Sequence, residues 1–144
     1  MILIDTNILI HTKNPSSPEH ARAVADVTRL IEQGEDIVVC PQVLRECYVV
    51  MTRPSGVNGL GLDTETAKQE IESIQSTYTF IADDSRVFDE FKNLVHIFSV
   101  SGRNAHDTNI AAFAIANYIS GILTYNVGDF VPIVTGKQIG RAHV

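Results

Sequence analysis

Four short segments of this chain could do chemistry: Ile2-Leu3-Ile4-Asp5-Thr6-Asn7, Leu44-Arg45-Glu46, His106-Asp107-Thr108-Asn109 and Thr124-Tyr125-Asn126-Val127-Gly128-Asp129-Phe130. Each sets a carboxylate beside or inside an apolar stretch, where an isolated charge is costly unless something pairs with it. Asp5, Glu46, Asp107 and Asp129 outnumber the Lys and Arg of these segments. They therefore point to a hard divalent cation held by oxygen ligands, Mg²⁺ or Mn²⁺. No Cys/His spacing suggests zinc. Such a cluster can acidify water and neutralise the charge developing on a phosphodiester, which makes phosphodiester hydrolysis the chemistry to expect. Each residue also has a structural reading: Asp5 as a helix cap, Asp107 as a first-turn acid favoured by the helix dipole, Glu46 as a solvated margin, Asp129 as a turn residue.

The elements that would position these residues alternate. Ile2-Leu3-Ile4 is a buried strand ending at Asp5. Residues 18–33 have helical periodicity (Ala21, Val24, Ala25, Leu30, Ile31), with Ser17 as cap, Pro18 first and Gly34 closing the end. Ile37-Val38-Val39-Cys40 is a second strand, and Pro41 opens a helix that ends before Pro54 and carries Glu46. Residues 54–61 form a Gly-rich loop, and Asp63 begins a further helix. Thr79-Phe80-Ile81 is a short strand, and Asp83 or Asp84 caps a helix to about Val100. A helix from about Asn104 to Ser120 puts Asp107 on one face with Ile110, Ala111, Ala114 and Tyr118. Ile122 to Tyr125 is a strand, and Val131 to Val134 a last, short one. Strands alternating with helices define an α/β fold with a central parallel sheet of four or five short strands surrounded by helices. Asp5, Asn126 and Asp129 then fall at or just beyond strand ends, where such sheets bind ligands.

The 144 residues suit one domain that buries roughly two thirds of its unfolded surface. The net charge of −6 argues against a generally basic nucleic-acid surface, although pooling acids around a metal would relieve part of it. Arg45, Arg53 and Arg103 are the candidate contacts to a nucleic-acid backbone. Cys40 and Cys47 read as buried small hydrophobes in a reducing compartment. No apolar run approaches the ~20 residues that cross a bilayer, and the first residues lack an export signal, so a cytoplasmic location without membrane attachment is expected. Residues 139–144 resemble the in-frame translation of a sequencing adapter and are expected to be non-native, leaving 1–138 as the domain.

In order and spacing, Asp-Thr-Asn after an apolar strand, Glu on the second helix, His-Asp before an Ala-rich helix and Thr-x-Asn-x-x-Asp-Phe resemble the PIN-domain family, nearest to VapC-like toxin ribonucleases. The resemblance spans Met1 to about Val134. It implies a PIN-like fold and Mg²⁺- or Mn²⁺-dependent endoribonuclease activity. Asp5, Glu46 and Asp107 would be metal ligands and catalytic, with Asp129 as fourth acid. Thr6, Asn7, Thr124 and Asn126 would orient ligands, water or phosphate. It also implies an RNA substrate, a small antitoxin partner and a homodimer. Many members carry Asp where this chain has Asn126, which bears on a second metal position.

Two alternatives stay open. A catalytically silent PIN-like module could bind RNA or protein through the same scaffold. His106-Asp107 is similar to the signature of HD-type phosphohydrolases, which are all-helical and need further His ligands that His11, His20 and His96 do not convincingly supply.

Overall fold

The computed structural model describes residues 1–137 and 142–143, without the side chains of Val131 and of residues from 134 onward. The chain runs β1 (Ile2–Ile4), α1 (Thr6–Lys13), α2 (His20–Glu32), β2 (Ile37–Val39), α3 (Pro41–Thr52), a short 3₁₀ turn (Ser55–Val57), α4 (Thr64–Thr77), β3 (Thr79–Phe80), α5 (Ser85–Ile97), α6 (Asn104–Ala116), β4 (Gly121–Leu123), α7 (Val127–Lys137) and β5 (Ala142–His143). All pairings are parallel and the strand order is β3-β2-β1-β4-β5. This is the α/β architecture expected.

β1 is central, and its three residues are fully buried, as a parallel strand covered on both faces requires. The chain proceeds from β1 through β2 to β3 on one side, then returns with β4 on the other. The switch in direction therefore falls between β1 and β4, where the loops after the two strands part and open a crevice. Register sets Ile4 opposite Leu123, so Asp5 and Thr124 leave the sheet side by side.

Local signals account for most helix ends. The Asp5, Asp63 and Asp84 side chains accept backbone N–H groups at the starts of α1, α4 and α5. Pro41 opens α3 at its first position. Cys40 and Cys47 are buried and unbridged, and burial pushes the Cys40 thiol up to about 11.

Three expectations are corrected. Residues 131–134 are not a strand but part of α7. A four-residue apolar run cannot distinguish the two periods, and burial of Phe130 and Ile133, three apart, is the helical spacing. In α2 the buried face is Ala23, Asp26, Val27 and Leu30, whereas Val24 and Ile31 are exposed. The true stripe is masked in sequence by Asp26, whose carboxylate meets Arg29 at 3.0 Å and accepts from the Tyr125 hydroxyl at 3.1 Å. Tyr118, expected on the buried face of α6, lies beyond its end and is 86% exposed. Of the tail 139–144, all but the Ala142–His143 backbone lies outside the described residues.

The end of α6 explains Tyr118. The Ile119 N–H reaches the Ala114 carbonyl at 2.9 Å and the Tyr118 N–H reaches Ile115 at 3.1 Å, which closes the helix in a Schellman turn. That turn demands a left-handed residue, and Tyr118 adopts φ 54°. At the end of α2 the same turn is made by Gly34, with φ 81°. Tyr118→Gly should therefore stabilise the protein by about 0.5–1 kcal/mol, a rise of ~2–4 °C in Tm by calorimetry. An unchanged or lowered Tm would show that the tyrosine ring compensates for its backbone.

Candidate active site

Asp5 is the most enclosed of the expected acids, at 5% exposure. It caps α1, and neutral donors surround it. The Thr6 N–H donates to Oδ1 at 2.7 Å, and Asn7 Nδ2 and the Thr124 hydroxyl donate to Oδ2 at 2.9 and 2.7 Å. The capping reading of Asp5 thus holds, and it leaves the residue on the wall of a cleft, compatible with the site reading. Burial pushes its carboxyl above the usual value, the three donors pull it down, and Glu46 pushes it up again. Asn7 is itself held by the Tyr125 N–H, which donates to its Oδ1 at 3.2 Å, so the loop after β4 is tied to α1.

Glu46 projects from α3 and is half-buried. The Thr6 hydroxyl donates to its Oε2 at 2.8 Å, and Gln42, one turn earlier, donates to Oε1 at 2.7 Å. The same Gln42 amide also donates to the His106 carbonyl at 2.9 Å, while Asn109 donates to Gln42 Oε1 at 2.6 Å. Sequence reading missed Gln42 and Asn109. The available signal was the i, i+4 spacing of Gln42 and Glu46 on one helix face, with a polar amide in an otherwise apolar stretch. Gln42 joins α3 to α6 and so sets where Glu46 stands relative to Asp107.

Asp107 lies in the first turn of α6 and is half-buried. Burial, followed by the charges of Asp5, Asp129 and Glu46, pushes its carboxyl up to about 6, with His106 opposing. A helix N-terminus alone would pull it down. Burial, with the charge of the other acids added to it, therefore outweighs the dipole. Asp129, in the first turn of α7, and Asn126 are exposed at the mouth. Thr124 is fully buried and acts through Asp5.

Two depressions meet here. A cleft of about 290 Å³ is lined by Asp5, Thr6, Asn7, Glu46, Asp107 and Asn126, among others. An open groove of about 960 Å³ shares Glu46, Asp107 and Asn126 and adds Asp129, Arg45 and Arg103. Arg53 does not line it. Among the described residues none of the four acids forms an ion pair. The donor chemistry, oxygen ligands with unneutralised charge, suits Mg²⁺ or Mn²⁺. However, among the described residues no three His, Cys, Asp or Glu side chains stand ready around one point to hold an ion. The expected closed cage is thus an open cluster. Bare carboxylates repel, and Asp5 and Glu46 turn to neutral donors instead.

With the fold and this cluster in place, comparison with known proteins is direct. The PIN domain family model matches residues 2–128, and the chain belongs to that family. Ribonuclease VapC24 of Mycobacterium tuberculosis is 25% identical over 131 residues, covering 90% of this chain and 89% of that protein. Among solved structures, M. tuberculosis VapC20, described as a sarcin-ricin loop cleaving toxin, superposes with TM-score 0.64 at 15% identity, over 92% of this chain and 95% of its own. FitAcB from Neisseria gonorrhoeae gives 0.63 at 23%, over 91% of each chain.

Two outcomes follow for the metal-free protein. Because the folded Asp107 carboxyl titrates near 6 and an unfolded one near 4, folding is favoured below pH ~4 and loses that contribution as pH rises through 6. In EDTA, Asp107→Asn should lack this loss, so its Tm exceeds the wild-type value at pH 7.5 more than at pH 4.5. A constant difference across that range would contradict the charge cluster. Gln42→Leu should destabilise by about 2 kcal/mol in urea unfolding, since Asn109 and the His106 carbonyl lose a buried partner. A neutral result would mean that water replaces the amide.

Proposed function

We propose that this protein is a metal-dependent endoribonuclease that hydrolyses RNA phosphodiester bonds, acting as the toxin of a type II toxin–antitoxin pair. The single observation carrying the proposal is the pooling at the β1/β4 switch point of four carboxylates that form no ion pair among the described residues, where burial and then the charges of Asp5, Asp129 and Glu46 lift Asp107 to about 6. Membership of the PIN family and likeness to a ribonuclease support the same reading.

Asp5, Glu46 and Asp107 would hold Mg²⁺ or Mn²⁺, with Asp129 as the fourth acid. The bound cation supplies charge neutralisation at the phosphate and acidifies water. The protein's own contribution is positional. Thr124, Asn7 and the Thr6 N–H fix Asp5, while the Thr6 hydroxyl and Gln42 fix Glu46. Asn126, at the mouth of both depressions, orients water or phosphate. Water is the nucleophile, and no covalent protein intermediate forms. Arg45 and Arg103 line the groove where they can meet the phosphates on either side of the cleaved bond.

A FitAB structure bound to a DNA fragment is among those of similar fold, and the proposal includes a small antitoxin partner, a homodimer and a cytoplasmic setting. Among the described residues no helix is long and apolar enough to cross a membrane.

The second reading is a silent module that binds RNA without cutting it, favoured by Asn126 and by the absence of a ready-made metal set among the described residues. Purified protein and RNA with Mn²⁺, Mg²⁺ or EDTA separate the two. The nuclease should cleave only with the divalent ion, and Asp107→Asn should lose at least about 100-fold, the scale of removing one electrostatic stabiliser of a transition state. Cleavage that survives EDTA defeats the metal mechanism. Binding without turnover at any divalent concentration establishes the silent module.

A further inference from the structure

The wall of the large groove opposite in character to the acids is aromatic. Phe88 and Phe91, one turn apart on α5, line it, with ring centroids 6.0 Å apart and planes 20° from parallel. Phe88 is 60% exposed, whereas Val87 and Leu94 on the same helix are buried, so α5 satisfies its core contacts without it. Isolated exposed apolar side chains are ordinary on proteins. What distinguishes this pair is its company. Arg45 and Arg103 line the same groove and enter no ion pair among the described residues, and the groove runs on to Glu46 and Asp107. The Lys92 ammonium lies over the Phe88 ring, 5.4 Å from its centroid, and pairs with Asp89 at 2.9 Å.

From this juxtaposition we propose that Phe88, backed by Phe91, is a stacking platform for one unpaired nucleobase of the RNA, while Arg45 and Arg103 take the phosphates leading from that base to the acidic centre. The inference rests on the ribonuclease reading and adds a subsite to it. A free cationic side chain, an exposed aromatic face and a polar floor of Gln42, Asn109 and His106 match the amphiphilic repeat of a single strand, in which a flat apolar base alternates with a charged phosphate. A protein partner docking by its apolar residues would meet too much charge and amide here. A base held in a duplex has both faces covered and cannot stack on a side chain. The platform therefore selects RNA that is unpaired on the α5 side of the cleaved bond.

The test uses a fluorescein-labelled, unstructured ten-nucleotide RNA, the same RNA with one abasic position scanned along it, and its duplex. Binding is read by anisotropy in Ca²⁺, cleavage by gel in Mn²⁺, and oligomeric state by sedimentation. Phe88→Ala should raise Kd and KM about 10-fold with kcat little changed, on the scale of one base–aromatic stack. Phe88→Trp should restore both. At one position the abasic RNA should bind the wild type as weakly as intact RNA binds Phe88→Ala, and should lose nothing further in that variant. Discrimination against duplex should fall in Phe88→Ala.

Wild-type cleavage with unchanged Kd and KM in Phe88→Ala overturns the platform alone. Phe88-dependent binding without any cleavage overturns the nuclease reading and leaves the platform standing. Loss of both overturns both. A variant that changes oligomeric state while keeping its Kd for RNA reassigns Phe88 to contact between copies of the chain and overturns the platform.

Discussion

A carboxylate at the end of the central strand, nearly sealed from water and held only by neutral donors, is the constraint on which the rest of this molecule depends. Asp5 cannot leave, because it caps α1 and its backbone N–H pairs with Leu123 of β4. It cannot be neutralised by a partner either, because Thr6, Asn7 and Thr124 occupy its oxygens without cancelling its charge. Burying a charge this way is expensive, and the expense is lessened only by hydrogen bonds fixed in advance. Those bonds tie three pieces of chain together: the strand end, the first turn of α1 and the loop after β4. The parallel pairing of β1 with β4 is what makes this possible, and the negative potential at the switch point is its consequence.

The remaining acids add to that potential rather than relieve it. Glu46 approaches from α3, which packs beside α1, Asp107 from α6, which packs against α5 and α7, and Asp129 from the first turn of α7. Burial raises the Asp107 carboxyl first, and the charges of Asp5, Asp129 and Glu46 raise it further. Such an arrangement costs stability in the bare protein, which is the usual signature of a site shaped for a ligand of opposite charge. Gln42 limits the damage. By holding both Glu46 and the start of α6 it keeps the repelling groups at a set spacing.

The groove outside this centre divides its labour by chemistry. Acids lie where the strand ends converge, guanidinium groups flank them, and aromatic rings stand on α5. Under the proposed reading each class of side chain would face a different part of a polynucleotide: the reacting phosphate, the neighbouring phosphates and the bases. A net charge of −6 is compatible with this division because the acids are partly pooled at one point while the arginines line a channel.

Much of this was legible in the chain alone. The alternation of strands and helices, the caps at Asp5, Asp63 and Asp84 and the proline start of α3 follow from local rules that act within one turn or one strand. The acids at strand ends and on apolar helices, Asp5 and Asp107 above all, announced themselves by being in the wrong company. Where local rules conflict, reading failed. Asp26 hid the buried face of α2, a short apolar run disguised the middle of α7, and Tyr118 stands in a left-handed turn that glycine would normally fill. Only the tertiary structure decided which partner each polar group of the site receives. Gln42 meets Asn109 across 67 residues and Thr124 meets Asp5 across 119. Such pairings depend on strand order and helix packing, which act at distances in sequence that no periodicity can register.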